Sequence, residues 1–297
     1  MADVRFTAAT RVLPGMTRPA VDGVNLHVRD GELMVLGGAP GSGKSTLLRL
    51  LIGLEPLDTG RLSIGGTEVT RAFADRRSVS LVFEGFTLLP HLTLFENIAL
   101  PLQLRRASAH TVRAGVAQAA KTCGLDSPLS VRPEGLPFET RLRAILARAI
   151  VRRPEVVCLD EPLVGAGSGP DTDCITVIRD LQRTLGVTMI YATCRSADAL
   201  ALADRVAVLD RGKLHQVDRI RAVFDRPATV QVAQFAGPAL INLVRAPVVD
   251  GSARLGTVTV ALTENQLRSL TGSQVLAGLS PSACHFFDAV TGRRLPD

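Results

Sequence analysis

Gly38-Ala-Pro-Gly-Ser-Gly-Lys-Ser-Thr46 is the stretch whose reading decides the fold. An apolar run, Leu33-Met-Val-Leu36, precedes it, and Leu47-Leu-Arg-Leu-Leu-Ile52 follows with the composition of a helix. The spacing Gly38…Gly43-Lys44-Ser45 fits a phosphate-binding P-loop in its required strand–loop–helix setting. Gly38, Gly41 and Gly43 let the backbone fold tightly, so that successive N–H groups converge on phosphate oxygens. Ala39, Pro40, Ser42 and Thr46 complete the cradle. The new helix points its positive dipole end at the same anion. Lys44 supplies a cation for the outer phosphates, and the Ser45 hydroxyl is placed to ligate Mg²⁺. The loop predicts a bound nucleoside triphosphate.

Outward from the loop, the sequence reads as an α/β protein. Val4 to His27 alternates apolar and polar residues between turn signals, which predicts antiparallel strands. Arg61-Leu-Ser-Ile64 before Gly65-Gly66 predicts another hairpin. Ser78–Phe83 predicts a buried strand, and the loop Glu84–His91 leads to helical periodicity over 94–106 and 111–123. Pro128 to Pro137 is turn-like, and a helix is expected over 141–153. Further helices are expected over 171–184 and 196–203, with a buried strand over 187–192 and a hairpin from 205–209 to 213–217. Buried strands alternating with helices predict a sheet covered on both faces. From about Gln231 the texture turns β-like, over 240–248 and 256–262, which predicts a second domain of about 60 residues.

The second motif is Val156-Val-Cys-Leu-Asp160-Glu161-Pro162. An apolar strand ending in an acid holds Mg²⁺ beside the outer phosphate, which assigns Asp160 to the metal. Glu161 can polarise the attacking water as general base.

With both motifs in place, the chain resembles the nucleotide-binding subunits of ABC transporters, of the sugar and glycerol-phosphate importer type. Supporting stretches are Gly43–Glu55, Leu88–Asn97, Thr188–Tyr191, Ala201–Asp210 and Gly278–Phe287. The resemblance implies a P-loop NTPase core of ABC ATPase type with an antiparallel β subdomain and a small helical subdomain at about 85–140. The core would occupy 1–230, and a shortened regulatory-type β domain would occupy 231–297. It implies ATP and Mg²⁺ as cofactors. Two such subunits would dimerise head to tail and drive transmembrane permease subunits, whose coupling helices would dock near Glu84–Leu89. The expected location is cytoplasmic, peripheral on the inner face of the cell membrane.

The departures from the family pattern are as informative. The signature LSGGQ is replaced by Leu136-Pro-Phe-Glu-Thr140, where Pro137 lacks an N–H and Glu139 brings negative charge towards phosphate. Glu84 stands where the family has a glutamine, and a carboxylate there can still bind Mg²⁺. Cys194 replaces the histidine that contacts the outer phosphate. Leu163-Val-Gly-Ala-Gly167 lacks the intersubunit aspartate. Leu13 replaces the aromatic that stacks on adenine, so it can pack on the base without the stacking preference. Three readings follow, of which the first two are an ATPase that energises solute uptake and a hydrolysis-impaired regulatory subunit paired with an intact ATPase. A soluble P-loop switch without a membrane partner is the third.

Composition sets the outer bounds. The 297 residues carry a net charge of +6, and lysine occurs only at 44, 121 and 213. That spread-out basicity, without aromatic interleaving, predicts a solvated surface and no nucleic-acid partner. No apolar run reaches the ~18 residues that span a bilayer. The five cysteines form no CxxC pair and are expected as reduced thiols.

Overall fold

The computed structural model describes residues 2–85, 88–164, 172–237, 242–255, 258–279 and 284–296. Residues 86 and 87 of the expected docking loop and 165–167 of the segment after Pro162 lie outside the described residues. The same holds for parts of the 240–248, 256–262 and 278–287 stretches.

β1 (Val4–Arg11) and β2 (Val21–Val28) pair antiparallel, with Phe6 opposite Leu26. β3 (Leu33–Gly37) then runs through the glycine loop into α1 (Lys44–Ile52). β4 (Thr59–Ile64) and β5 (Thr67–Glu68) close the expected hairpin, giving a four-stranded sheet in the order β2-β1-β4-β5. β6 (Val79–Val82) is followed by three helices, α2 (Leu94–Gln103), α3 (Ala109–Thr122) and α4 (Phe138–Ile150). α2 starts where it does because Thr93 and Glu96 form a reciprocal capping box. Then come β7 (Val156–Asp160), α5 (Thr172–Leu185), β8 (Thr188–Thr193), α6 (Ser196–Leu202), β9 (Arg205–Asp210) and β10 (Lys213–Arg219).

The central sheet has the order β10-β9-β3-β8-β7-β6, parallel except for the β10 edge. Alternation along β3 divides the core. Met34 and Leu36 face α1 and the antiparallel sheet, together with Leu47, Leu48 and Leu51. Leu33 and Val35 face the opposite side, where α2 to α6 pack. At roughly 25 cal/mol per Å² of apolar surface removed from water, these two clusters provide the main drive for folding. The P-loop helix is therefore held between two sheets.

α1 also receives an unforeseen C-terminal clamp. The buried Arg77 guanidinium donates to Leu50 O at 2.6 Å, Leu51 O at 2.8 Å and Ala72 O at 2.9 Å. It satisfies carbonyls that a helix end otherwise leaves without partners.

Several boundaries differ from expectation. The helix expected over 141–153 begins at Phe138, because Pro137 enters it with φ −52° and serves as its N-cap. It stops at Ile150, ahead of Arg153 at φ 52° and Pro154. β6 is only half-buried rather than buried, because it forms the sheet edge. The C-terminal part opens with helices, α7 (Ile220–Asp225) and α8 (Val230–Ala236), not with strands. β11 (Asn242–Val249), β12 (Ser252–Leu255), β13 (Val258–Ala261), α9 (Glu264–Arg268), β14 (Gln274–Leu279) and β15 (Cys284–Asp288) follow. Their strands form a five-stranded antiparallel sheet, β13-β12-β11-β14-β15.

α8 ties this sheet to the core. Val230 and Ala233 pack on Phe287, and Val230 N–H donates to Gly292 O at 2.9 Å. On its other side Phe235 presses on Gly37, where an added Cβ would lie 2.4 Å from the ring. A side chain at the root of the P-loop is thereby excluded.

Candidate functional site

The parallel strands deliver three segments to one edge of the sheet, where ligands of open α/β sheets bind. β8 lies between β3 and β7, with Gly37 beside Thr193 and Asp160 beside Ala192. That register brings the loop after β3, the acid ending β7 and the turn after β8 side by side.

The glycine loop is built for close approach. Gly38 has φ 149°, and a Cβ there would lie 2.2 Å from Leu209 O. Gly43, the N-cap of α1, has φ 106°, and a Cβ there would lie 2.3 Å from Ala20 O. No side chain caps α1, so its first N–H groups remain available to an anion. Ser42 Oγ is buried and has no hydrogen-bond partner among the described residues.

Lys44 is 5% exposed, and its ammonium donates to Gly38 O at 2.8 Å and Ala39 O at 3.1 Å. Burial pushes its pKa down, opposed chiefly by the Glu161 carboxylate at 3.9 Å. A buried cation that rests on neutral carbonyls is under-compensated, which is the state that favours an incoming phosphate.

Ser45 Oγ donates to Asp160 Oδ1 at 3.1 Å. Burial raises the Asp160 pKa, against the Ser45 hydrogen bond. A hydroxyl and a buried carboxylate in contact are hard oxygen donors suited to Mg²⁺, which completes its octahedron with waters and substrate phosphates. Among the described residues there is no cluster of three or more His, Cys, Asp or Glu side chains that could hold a metal by itself. The cradle and this donor pair thus fit ATP with Mg²⁺ and do not fit a protein-enclosed metal.

Glu161 adopts φ 45°, an uncommon conformation for a non-glycine residue, and its N–H donates to Ala192 O at 3.0 Å. Burial raises its pKa, while Lys44, Thr193 and Cys194 hold it back. A carboxylate displaced upward is a better proton acceptor than a solvated one. Glu84 is exposed beyond β6, and its negative charge is felt at both Lys44 and Asp160. Leu13 is half-buried in a cleft of about 410 Å³ that it shares with Ser42 to Thr46. The structure therefore brings Leu13, Lys44, Ser45, Asp160, Glu161 and Glu84 to one region.

Other positions were missed or read differently. Cys194 is exposed and hydrogen-bonds to Glu161 with both its thiol and its N–H. Thr193 joins it at the same carboxylate, a proximity set by the parallel register and not by local spacing. The altered signature forms the first turn of α4. There Glu139 pairs with Arg143 at 2.7 Å, and Phe138 packs against Arg141, 5.9 Å from the ring centre. No side chain caps this helix start, but Glu139 places a negative charge in its first turn and Pro137 precedes it.

A phosphate loop beside an acid-ended strand, in a parallel sheet flanked by an antiparallel sheet and a cluster of helices, defines a class of protein, the ATP-binding cassettes. The sequence pattern of the ABC transporter family matches residues 21–164. The diacetylchitobiose uptake ATP-binding protein MsiK of Streptomyces coelicolor is 40% identical over 269 residues, 91% of this chain and 71% of that protein. The trehalose/maltose import ATP-binding protein MalK of Thermococcus litoralis is 36% identical over 293 residues, 95% of this chain and 78% of that protein. A dimeric post-hydrolysis structure of the cassette MJ0796, bound to ADP and Pi, superposes with a TM-score of 0.62 at 25% identity. It covers 73% of this chain and 99% of that one. The chain belongs to the ABC transporter family, as an ATP-binding subunit.

Proposed function

We propose that this chain binds Mg-ATP and couples its hydrolysis to import of a sugar or polyol-like solute through transmembrane permease subunits. The observation that carries the reading is the compact arrangement of Lys44, Ser45, Asp160 and Glu161 at the strand ends. Lys44 and the α1 N–H groups bind the phosphates. Ser45 and Asp160, together with Glu84, would hold Mg²⁺, which would neutralise phosphate charge. Leu13 packs on the base. Glu161 accepts the proton of the attacking water.

The importer assignment rests on the relatives, which are named for diacetylchitobiose uptake and for trehalose/maltose import. Among the described residues no helix is long and apolar enough to cross a membrane. The importer reading itself, by way of the relatives, puts the chain on the cytoplasmic face against its permease. Residues 1–230 form the motor in this reading, and 231–297 the regulatory-type β domain. The dimer partner is a second copy or a different ATPase subunit. A specific observation favours slow hydrolysis in a homodimer: Pro137 and the Glu139–Arg143 pair occupy the helix start that would meet the opposing phosphate.

Mg-ATPase measured on the purified chain, alone and with its permease and any second ATPase subunit, tests the proposal. The expected result is turnover in the complex that Glu161→Gln abolishes. Turnover indifferent to Glu161→Gln would remove the assigned base, and robust turnover of the chain alone would remove the slow-homodimer reading.

A further inference from the structure

The β9–β10 hairpin turns through two residues, Arg211 and Gly212, with Asp210 paired to Lys213. Both have positive φ, 46° and 80°. Such a turn favours Asn-Gly or Asp-Gly, because the left-handed region disfavours a branched or bulky first residue. Arginine at that position leaves the turn under strain. The turn is also wedged tightly. Gly212 N–H donates to Ser42 O at 2.9 Å, and Asp22 N–H donates to Gly212 O at 2.9 Å. A Cβ on Gly212 would lie 2.9 Å from Pro19 O. The turn is therefore locked, through Gly212, between the glycine loop and the base-side segment that runs from Leu13 to Asp22.

The Arg211 side chain is exposed and lines the nucleotide cleft together with Leu13, Met16 and Arg18. Among the described residues its guanidinium has no hydrogen bond and no ion pair. The nearby acid is engaged elsewhere, since Asp22 pairs with Lys213 at 3.5 Å. A strained backbone, a rigid mount and an unpartnered cation meet at the mouth of an anion-binding cleft. Strained residues held by their surroundings cluster at ligand sites.

We propose that Arg211 is a second cationic ligand for the nucleotide, gripping the phosphate nearest the nucleoside while Lys44 holds the outer ones. Its place between the base-side segment and the loop assigns it to that inner phosphate, so ATP and ADP feel it alike. The inference rests on the Mg-ATP reading of the P-loop. It adds to that reading a binding residue from a hairpin outside both nucleotide motifs.

The test compares Mg-ATP and Mg-ADP affinities of the full chain and of Arg211→Gly, Arg211→Lys and Lys44→Ala, each with a thermal melt. Arg211→Gly removes the strain and the charge together. It should melt higher, by about 2–4 °C, while binding both nucleotides about 3- to 10-fold more weakly. Arg211→Lys should recover most of that affinity, and the difference should shrink at high salt. A gain in stability with a loss of affinity is not what a structural turn residue produces. Unchanged affinity in Arg211→Gly, or a loss that tracks a lower melting temperature, would overturn the assignment. Indifference of binding to Lys44→Ala would instead remove the P-loop reading beneath it.

Discussion

Replacing single glycines in the phosphate loop with alanine should separate two physical effects. Gly41 has φ 76° and open space around its missing Cβ, so Gly41→Ala meets only left-handed strain, about 1 kcal/mol. Gly43 has φ 106°, and its Cβ would sit 2.3 Å from Ala20 O, roughly 1 Å inside an ordinary contact. That oxygen belongs to backbone, next to the Asp22–Gly212 hydrogen bond, and cannot swing aside as a side-chain tip would. The loop must shift, at a further cost of about 2–3 kcal/mol for overpacking against fixed atoms. Gly43 also caps α1, so the shift displaces the first N–H groups that face phosphate. Gly41→Ala should therefore melt within a few degrees of the parent and keep most of its Mg-ATP affinity. Gly43→Ala should lose binding by about 100-fold or more. Fluorescent-nucleotide titration alongside thermal melts checks both arms. Equal, mild effects at the two positions would refute the argument from the Ala20 contact.

Other consequences follow from buried charges elsewhere. Arg77→Leu strands Leu50 O, Leu51 O and Ala72 O. It should destabilise the core by about 3 kcal/mol in denaturant titration, more than an exposed arginine replaced likewise. Asp288 is buried, which alone would raise its pKa, but hydrogen bonds from Thr271 and Thr291 hold it below the ordinary carboxylate range. The stability it contributes is complete above the unfolded value near ~3.9 and is lost as pH falls below it. Acid unfolding of the C-terminal sheet, followed by hydrogen exchange, should accordingly begin at higher pH in Asp288→Ala.

The two nucleotide motifs were legible because their chemistry is local. A strand, a run of glycines and a Lys-Ser pair fall within nine residues, and an acid ends another apolar strand. The strand order was not, because register between β3, β7 and β8 is set by side-chain packing across distant segments. That register alone brings Thr193 and Cys194 to Glu161. Arg77 read as one arginine among many, since nothing in its neighbourhood announces a cap for a helix some 25 residues upstream. The start of α4 was placed late because Pro137 reads as a breaker when it is in fact the N-cap. Arg211 escaped notice because its strain and its cleft exist only after folding. The C-terminal strands show little alternation: β13 is mostly exposed, whereas His285 to Asp288 of β15 are all buried. β12, β14 and β15 left no pattern distinct from turns.

Mg-dependent ATP binding by the intact chain, with and without Lys44→Ala, tests the central claim most directly. Lys44 is the buried cation that leaves two loop carbonyls for phosphate. The account predicts saturable binding that weakens about 100-fold or more in Lys44→Ala, with little change in melting temperature without nucleotide. Binding that is absent in the parent chain, or equal in the two proteins, would contradict it.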